Sequence, residues 1–332
     1  MAVKLTREAY GEKPKTEYKN NLDAINVQLI DNQTMEMLEN YLPNFVRATY
    51  SEKWFARFTK LEELAIVRDV FMGRSLPTAQ ETIGLTFIID GIDLTTVTHL
   101  IRHRTGSYSA DCSAEKWWHE KDALVPSSIE NSKFGKPGND DHKRNDFYAR
   151  FKNITEAAKQ LYCDMIDSND INIMDARAIL PRCLSTYYFT HFPLNAAIAF
   201  IKQRVDRQIQ PEPDNIIAYQ MYLEILKAFP VANGMIDIDA QDKVYLILKE
   251  KQGPMFKPEP KNDVWQHTDD EFLYPKLRSE MSGTDGLPSK FAKHYKELVD
   301  RIKQQEETNA AWLKGRYNIT FEELDKMEVL LR

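Results

Sequence analysis

The sequence predicts an α+β fold, because segments with the pattern of strands and segments with the pattern of helices follow one another along the chain. Residues 25–30 (INVQLI) alternate apolar and polar side chains, as a half-buried strand does. Residues 184–192 (LSTYYFTHF) are rich in aromatic and β-branched side chains, which favour strands. Residues 147–168 and about 214–228 are predicted as helices. Strands and helices mixed in this way indicate an α+β body.

The other elements of this body follow from the same periodicities. Residues 85–89 (LTFII) are a second apolar strand candidate, and Asp93 can cap a helix over residues 94–104. A shorter helix over residues 172–180 is ended by Pro181. The face of the 94–104 helix that we expect to be buried consists of Leu94, Val97 and Ile101. The apolar stripe of a further helix consists of Leu194, Ala197, Ile198, Ile201 and Val205.

Composition narrows the class of protein. The chain has 332 residues, of which 42% are hydrophobic and 28% charged, so it can bury one large core or two modest ones. A formal net charge of −6 argues against a surface built for nucleic acid, although a local basic pocket stays open. The N-terminus lacks an apolar signal segment and no membrane-length apolar run follows, which predicts a cytoplasmic protein. Three cysteines without a Cys-x-x-Cys pair predict reduced thiols and no metal site.

Shifts in composition predict the domain organisation. Residues 131–146 are polar and rich in Gly and charge, as in a surface loop, and residues 251–290 contain five prolines, as in an irregular linker. Residues 288–306 are rich in Lys and Glu and are predicted as a solvated helix, which is able to pack on a neighbouring subunit. The predicted boundaries are 1–21 for an N-terminal extension, 22–232 for a catalytic domain and 233–332 for a C-terminal extension.

Three polar residues, Arg102-His103-Arg104, stand at the end of an otherwise apolar helix. Cations at a helix C-terminus are stabilised by the helix dipole, so simple capping is one interpretation. The segment that follows, 105–113 (TGSYSADCS), is small and rich in hydroxyl groups and is able to bring N–H and O–H donors close to an anion. The combination makes a phosphate pocket a second interpretation.

Two further arginines lie among apolar residues. Arg177 is in the segment IMDARAILP, and Arg204 follows the apolar stripe of the next helix. A guanidinium that is even half buried needs an anionic or carbonyl partner. A bound ligand is one such partner, and an internal carboxylate such as Asp175 or Asp206 is the alternative.

Together these segments resemble the flavin-dependent thymidylate synthase family. Its signature is Arg-His-Arg followed by seven or eight residues and Ser, and here eight residues separate Arg104 from Ser113. Four collinear matches accompany it: VQLID near the start, LVPSS at 124–128, DARAILP at 175–181 and NAAIAFIKQRVDRQIQPE at 195–212. The resemblance covers about two thirds of the chain. It implies helices around a mixed or antiparallel sheet, here followed by a mostly helical C-terminal extension.

The resemblance also implies an activity and its cofactors. In this family FAD, reduced by NADPH, passes on electrons while 5,10-methylenetetrahydrofolate supplies one carbon to C5 of dUMP, in a homotetramer whose active sites lie between subunits. The product here is thymidylate or a related C5-modified pyrimidine. A non-catalytic relative that binds nucleotide and has lost the flavin is the alternative. No membrane or nucleic-acid partner is expected.

Site residues follow from the resemblance position by position. Arg204 corresponds to the arginine that polarises the pyrimidine, Ser113 lies against the nucleotide, and both are the expected catalytic residues. The expected cofactor-binding residues are Arg102, His103, Arg104, Asp111, Asn195 and Gln208. The expected substrate-binding residues are His99, Arg102, Asp111, Ser113, Lys116, Arg177 and Arg204.

The chain departs from the family pattern at several of these places. Glu115 replaces a family arginine that binds the nucleotide, so either Lys116 takes over or the substrate differs. Residues 74–80 (RSLPTAQ) replace a motif of the family on the flavin side. Trp117 and Trp118 follow the signature and are expected in the core, with stacking on a flavin or base as the alternative.

Overall fold

A computed structural model describes residues 16–50, 57–113, 118–126, 129–130, 147–205, 210–238 and 289–329. The predicted loop at 131–146, all but the last two residues of the predicted linker at 251–290, Lys116 and Gln208 lie outside these ranges. None of the described helices is both long enough and apolar enough to cross a membrane.

The described elements alternate between short strands and helices, as an α+β fold requires. The N-terminal half contains β1 (Tyr18–Asn20), α1 (Asn21–Ala24), β2 (Asn26–Asn32), α2 (Met35–Tyr50), α3 (Lys60–Phe71), α4 (Pro77–Glu81), β3 (Gly84–Ile92), α5 (Leu94–Leu100), β4 (Ser107–Ala110) and β5 (Ala123–Val125). The C-terminal half contains α6 (Phe147–Asp167), α7 (Ile173–Ala176), β6 (Thr186–Pro193), α8 (Leu194–Arg204), α9 (Glu212–Ala228), α10 (Ser289–Tyr317) and α11 (Phe321–Asp325).

Strands β2, β3, β6 and β4 form one antiparallel sheet in that order, and β1 pairs with β5 in parallel. The sheet confirms the predicted strands at 25–30, 85–89 and 184–192. Within β3, Gly91 has a φ of +71°, and a Cβ built there would lie 1.9 Å from the carbonyl oxygen of Ala24. Only glycine fits this position, because both the backbone conformation and the close approach exclude a side chain.

The chain forms two compact units, and strands β3 and β6 contribute residues to both. Unit 1 comprises residues up to 26, 89–102 and 108–189, and unit 2 comprises 27–88, 103–107 and 190 onwards. The core of unit 1 contains Trp118, Ala123, Tyr162, Ala176, Leu180 and Leu184. Trp118 is fully buried there, which confirms the core interpretation of this ring.

The C-terminal helix α10 packs against α9 inside unit 2. Leu298, Ile302 and Leu313 are buried on the packed face. Asn309 Nδ2 donates hydrogen bonds to the carbonyl oxygen of Leu226 and to Oδ1 of Asn233, each at 2.9 Å. The helix is therefore not simply solvated as predicted, because one of its faces belongs to the core of the same chain.

Helix α11 is fastened to the same unit through Arg68 of α3. The buried Arg68 guanidinium holds Asp325 at 2.8 Å and 3.1 Å and donates to the carbonyl oxygens of Val231 at 2.6 Å and Asn233 at 2.5 Å. The same guanidinium lies over the ring of Phe321, 4.7 Å from its centroid. One buried arginine thus joins the last described helix to the body of the protein.

Candidate active site

The signature arginines lie just beyond helix α5, not within it. Asp93 caps the helix as predicted, its Oδ1 accepting a hydrogen bond from the N–H of Thr96 at 2.6 Å. The helix ends at Leu100, so the prediction of a helix through residue 104 is wrong at its C-terminal end. The expected buried face is also wrong, because Ile101 is 48% exposed and the buried residues of α5 are Thr96 and Leu100. Residues 102–104 consequently lie beyond the helix, with Arg102 and Arg104 in turns.

In unit 2, Arg204 at the end of α8 contacts several polar side chains of the described residues. Its Nε and Nη2 lie 3.2 Å from Nε2 of His103. Its Nη1 donates to Gln210 Oε1 at 2.7 Å and to the fully buried Asp214 Oδ2 at 2.8 Å. Arg204 therefore has an internal carboxylate partner, as the alternative interpretation required, and that partner is Asp214 of helix α9 among the described residues. The Asp206 side chain proposed for this role lies outside the described residues.

His103 is held as a neutral hydrogen-bond acceptor. Its ring packs edge-on against Phe200, with 4.7 Å between centroids. Burial, together with the positive charge of Arg204, lowers the pKa of His103 to about 4. A guanidinium only donates hydrogen bonds, so Nε2 of His103 must accept them. The neutral imidazole ring therefore carries its proton on Nδ1. Near neutral pH, His103 therefore adds no charge to the ion pair of Arg204 and Asp214.

The lowered pKa predicts a pH dependence of stability. In the unfolded state His103 binds a proton below its ordinary pKa of 6.5. In the native state its ring stays unprotonated until the pH falls to about 4. Stability is therefore fully present above pH 6.5 and is lost as the pH falls towards 4. One full proton corresponds to about 1.4 kcal/mol per pH unit, and partial exposure of the ring reduces this value.

Urea denaturation at pH 7 and pH 5 measures this effect. We expect the wild-type protein to lose more stability between these values than a His103→Gln variant, whose amide oxygen can accept the same hydrogen bonds without titrating. Equal losses in both proteins would contradict a neutral His103.

In unit 1, the signature serine meets the second predicted arginine. Arg177 Nη1 lies 3.5 Å from Ser113 Oγ, and Arg177 Nε donates to the carbonyl oxygen of Met174 at 3.0 Å. Arg177 is half-buried at the turn that follows α7 and forms no salt bridge with Asp175 among the described residues. This arginine and this serine, 64 residues apart in sequence, are thus brought together.

A second cation lies beside the signature, and sequence reasoning missed it. Lys121 Nζ forms a short ion pair with the fully buried Asp111 carboxylate and lies 4.4 Å from the centroid of the Trp118 ring. The backbone carbonyl of Lys121 accepts a hydrogen bond of 2.9 Å from the buried Lys159. Burial lowers the pKa of Lys159. Asp111 was predicted to bind ligand, and a lysine shortly after the signature was the available signal for its partner.

The remaining predicted residues are placed as follows. Arg102 and Arg104 are exposed, and neither forms an ion pair within the described part of the chain. His99 is half-buried in α5. Asn195 Nδ2 lies 3.4 Å from Glu81 Oε1 in unit 2.

The segment at 74–80 is engaged with protein groups. Arg74 contacts Asp69 at 3.2 Å and Asp325 at 2.9 Å, and Gln80 Nε2 donates to the carbonyl oxygen of Val70 at 2.7 Å. These two side chains therefore support the local fold of unit 2.

Comparison with protein families identifies the chain. The profile of Thy1, described as thymidylate synthase complementing protein, matches residues 29–231, which is more than half of the sequence. The chain belongs to this family. The Thy1 family is that of the flavin-dependent thymidylate synthases, so the predicted resemblance is confirmed. As a Thy1 member the protein is a methyltransferase of the flavin-dependent thymidylate synthase type.

A solved structure shows the same fold. A UMP/dUMP methylase, PolB from Streptomyces cacaoi, bound with 5-Br dUMP, is 22% identical with a TM-score of 0.51, over 65% of this chain and 94% of that one. The same methylase bound with 5-Br UMP is 20% identical with a TM-score of 0.49, over 66% and 95% of the two chains. No curated protein matches the chain significantly. The Thy1 fold and the predicted α+β class are thereby confirmed.

Proposed function

We propose that this Thy1 protein transfers one carbon from 5,10-methylenetetrahydrofolate to C5 of a pyrimidine nucleotide, dUMP or a close relative, with FAD and NADPH. The observation that carries the proposal is the meeting of signature residues with distant arginines, Ser113 with Arg177 and His103 with Arg204. The proposal includes a cytoplasmic homotetramer with active sites between subunits, as in the family.

Recognition of the nucleotide phosphate is assigned to Arg177 and Ser113. A guanidinium offers several N–H donors in one plane and binds two phosphate oxygens at once, and the serine hydroxyl adds a third donor. The Arg177 side chain is half-buried and has no carboxylate partner among the described residues, so its charge is not neutralised internally. A dianionic phosphate fits this pair better than a neutral ligand does.

Activation of the pyrimidine is assigned to Arg204. C5 of uracil becomes nucleophilic when negative charge builds up in the ring, and a fixed cation at the carbonyl edge stabilises that charge. Asp214 and His103 hold the guanidinium from two sides, which fixes its orientation before substrate arrives. Because His103 is neutral, it orients Arg204 without adding a competing positive charge.

The chain offers suitable groups for FAD. Arg102 and Arg104 are exposed cations followed by a short turn and by strand β4 with its serine and tyrosine hydroxyl groups, a donor set suited to a pyrophosphate. FAD, when bound, passes electrons from NADPH to the transferred carbon. Since NADPH supplies both electrons, dUMP, methylenetetrahydrofolate, NADPH and a proton give dTMP, tetrahydrofolate and NADP⁺. Asn195, Gln208, Lys116 and His99 are proposed as further ligands, as the family alignment suggests.

The proposal is tested by comparing the wild-type protein with Arg177→Gln. We expect the wild-type protein to show flavin absorbance bands after incubation with FAD. It should also convert 5,10-methylenetetrahydrofolate to tetrahydrofolate in the presence of NADPH and dUMP or UMP. In the variant, nucleotide affinity should fall about 10- to 100-fold, since a charge-assisted hydrogen bond contributes about 1.5–3 kcal/mol. Its FAD titration should be unchanged.

Two outcomes would contradict the proposal. A wild-type protein that takes up no FAD but is stabilised by dUMP would be the non-catalytic relative. Equal loss of FAD and nucleotide binding in Arg177→Gln would mean that Arg177 supports the fold and not the phosphate. The conservative variant Arg177→Lys serves as control. It keeps the positive charge and loses only the planar group that binds two phosphate oxygens at once.

A further inference from the structure

The two residues that precede Ser113 are bonded to other parts of unit 1. The N–H of Asp111 donates to the carbonyl oxygen of Tyr187 at 3.4 Å, which ties the end of β4 to β6. The carbonyl oxygen of Cys112 accepts a hydrogen bond of 3.2 Å from Nε1 of the fully buried Trp118. The position of Ser113 is therefore set by contacts made one and two residues before it.

Lys121 takes part in the contacts of both residues. Its Nζ forms a short ion pair with the Asp111 carboxylate, and that side chain is fully buried. The same Nζ lies 4.4 Å from the centroid of the Trp118 ring, within the range of a cation–π contact. A buried carboxylate is costly without a cation beside it. Loss of the lysine charge would therefore loosen Asp111 directly and Cys112 through Trp118.

The main chain of Lys121 is itself anchored by helix α6. Its carbonyl oxygen accepts a hydrogen bond of 2.9 Å from Nζ of Lys159, a residue of α6 that is 4% exposed. Lys159 Nζ also donates to Thr16 Oγ1 at 2.7 Å. The N–H of Lys121 donates to the carbonyl oxygen of Trp118 at 3.3 Å. Because its main chain is bonded through both groups, Lys121 presents its ammonium to Asp111 from a fixed base.

We propose that Lys121 is a positioning residue of the nucleotide site, which acts by fixing Ser113 in front of Arg177. The inference rests on the proposed role of this serine and this arginine in binding the phosphate. Ser113 Oγ and Arg177 Nη1 lie 3.5 Å apart on distant segments, so their separation depends on what holds each segment. Two donors bind one phosphate best when their spacing is fixed before the ligand arrives. The ammonium of Lys121 is engaged by Asp111, so its role is to hold the segment and not to contact the phosphate.

Calorimetric titration of the full chain with dUMP, in the presence of FAD, tests the proposal. We expect Lys121→Met to weaken dUMP binding about 10-fold, the scale of one charge-assisted hydrogen bond to the phosphate. Lys121→Arg keeps a cation that can donate to Asp111 and should restore most of the affinity. Lys19→Met is the matched control, because Lys19 pairs with Asp122 at 2.6 Å in the same unit. It removes the same charge and should leave dUMP binding unchanged.

Two further variants separate positioning from direct contact with the phosphate. If Lys121 acts through Ser113, the double variant Lys121→Met/Ser113→Ala should bind dUMP no more weakly than Ser113→Ala alone. If the lysine contacts the phosphate itself, the two losses should multiply. Asp111→Asn should weaken binding, because it weakens the ion pair that holds the segment. A lysine that attracts the phosphate would instead bind dUMP more tightly in this variant, since its charge would no longer be neutralised.

Amide hydrogen exchange gives a readout that needs no nucleotide. The N–H of Asp111 should exchange at least about 10-fold faster in Lys121→Met than in the wild-type protein, and at the wild-type rate in Lys19→Met. Circular dichroism checks that the variants fold, and Asp111→Asn replaces Lys121→Met in this comparison if the latter does not.

Three results would overturn the proposal: wild-type dUMP affinity in Lys121→Met, losses that multiply in the double variant, or tighter binding in Asp111→Asn. A wild-type protein that binds neither dUMP nor UMP would contradict the proposed function instead. The exchange rates would then decide alone whether Lys121 holds the segment before Ser113, and unchanged exchange in Lys121→Met would overturn that as well.

Discussion

Arg204→Met is expected to lower the free energy of unfolding by about 3–5 kcal/mol and to abolish turnover. Methionine keeps most of the volume of the side chain but removes its charge. The carboxylate of Asp214 is fully buried and would then lack its ion-pair partner at 2.8 Å. Gln210 and His103 would also lose the N–H groups of Arg204 from which they accept hydrogen bonds. Urea denaturation measures the first loss and product formation the second.

The double variant Arg204→Met/Asp214→Asn separates the structural from the catalytic role. Removing both charges removes the unpaired buried carboxylate, so most of the lost stability should return. Turnover should stay absent, because the cation that stabilises charge in the pyrimidine ring is still missing. If turnover returned together with stability, the role of Arg204 would be structural only. The single variant Asp214→Asn completes the thermodynamic cycle.

Patterns along the chain were sufficient to predict most of the fold. Strand β6 was predicted at 184–192 and found at Thr186–Pro193, because its aromatic and β-branched residues have few alternatives to a half-buried strand. Helices α6 and α9 were also predicted within two residues at each end. The end of α5 was missed. There the N–H of Arg102 bonds to the carbonyl of His99 at 3.3 Å, a turn that apolar spacing does not encode.

The sequence could not predict which residues distant along the chain form ion pairs. Asp214 was not considered for Arg204, because a search of nearby residues favours Asp206, whereas Asp214 lies on the next helix. The pairing of Lys121 with Asp111 was missed because neither residue has a periodic neighbour that indicates its orientation. For α10 a signal was available, since Leu298 and Ile302 lie four residues apart as on one helix face. This apolar spacing was overlooked because the segment is highly charged.

Arg68→Met should have the second large effect, a loss of about 3–5 kcal/mol of stability together with release of helix α11. The guanidinium is buried and makes hydrogen bonds to Asp325 and to the carbonyl oxygens of Val231 and Asn233. Methionine would leave both carbonyls without this donor. Burial by itself would raise the pKa of Asp325. The hydrogen bonds and charges of Arg68 and Arg74 outweigh burial, so the pKa of Asp325 is lowered and its carboxylate is held tightly by these arginines.

Arg74→Met is the matched control, because Arg74 contacts the same carboxylate of Asp325 at 2.9 Å but is 36% exposed. A surface ion pair contributes about 0–1 kcal/mol, so this variant should keep nearly wild-type stability. Limited proteolysis followed by mass spectrometry should show cleavage near α11 in Arg68→Met and not in Arg74→Met. Equal stability of the two variants would mean that the buried contacts of Arg68 are replaced by water at little cost. A larger loss for Arg68→Met means that helix α11 is part of the cooperative core of unit 2, because the α3 residue that holds this helix is itself buried.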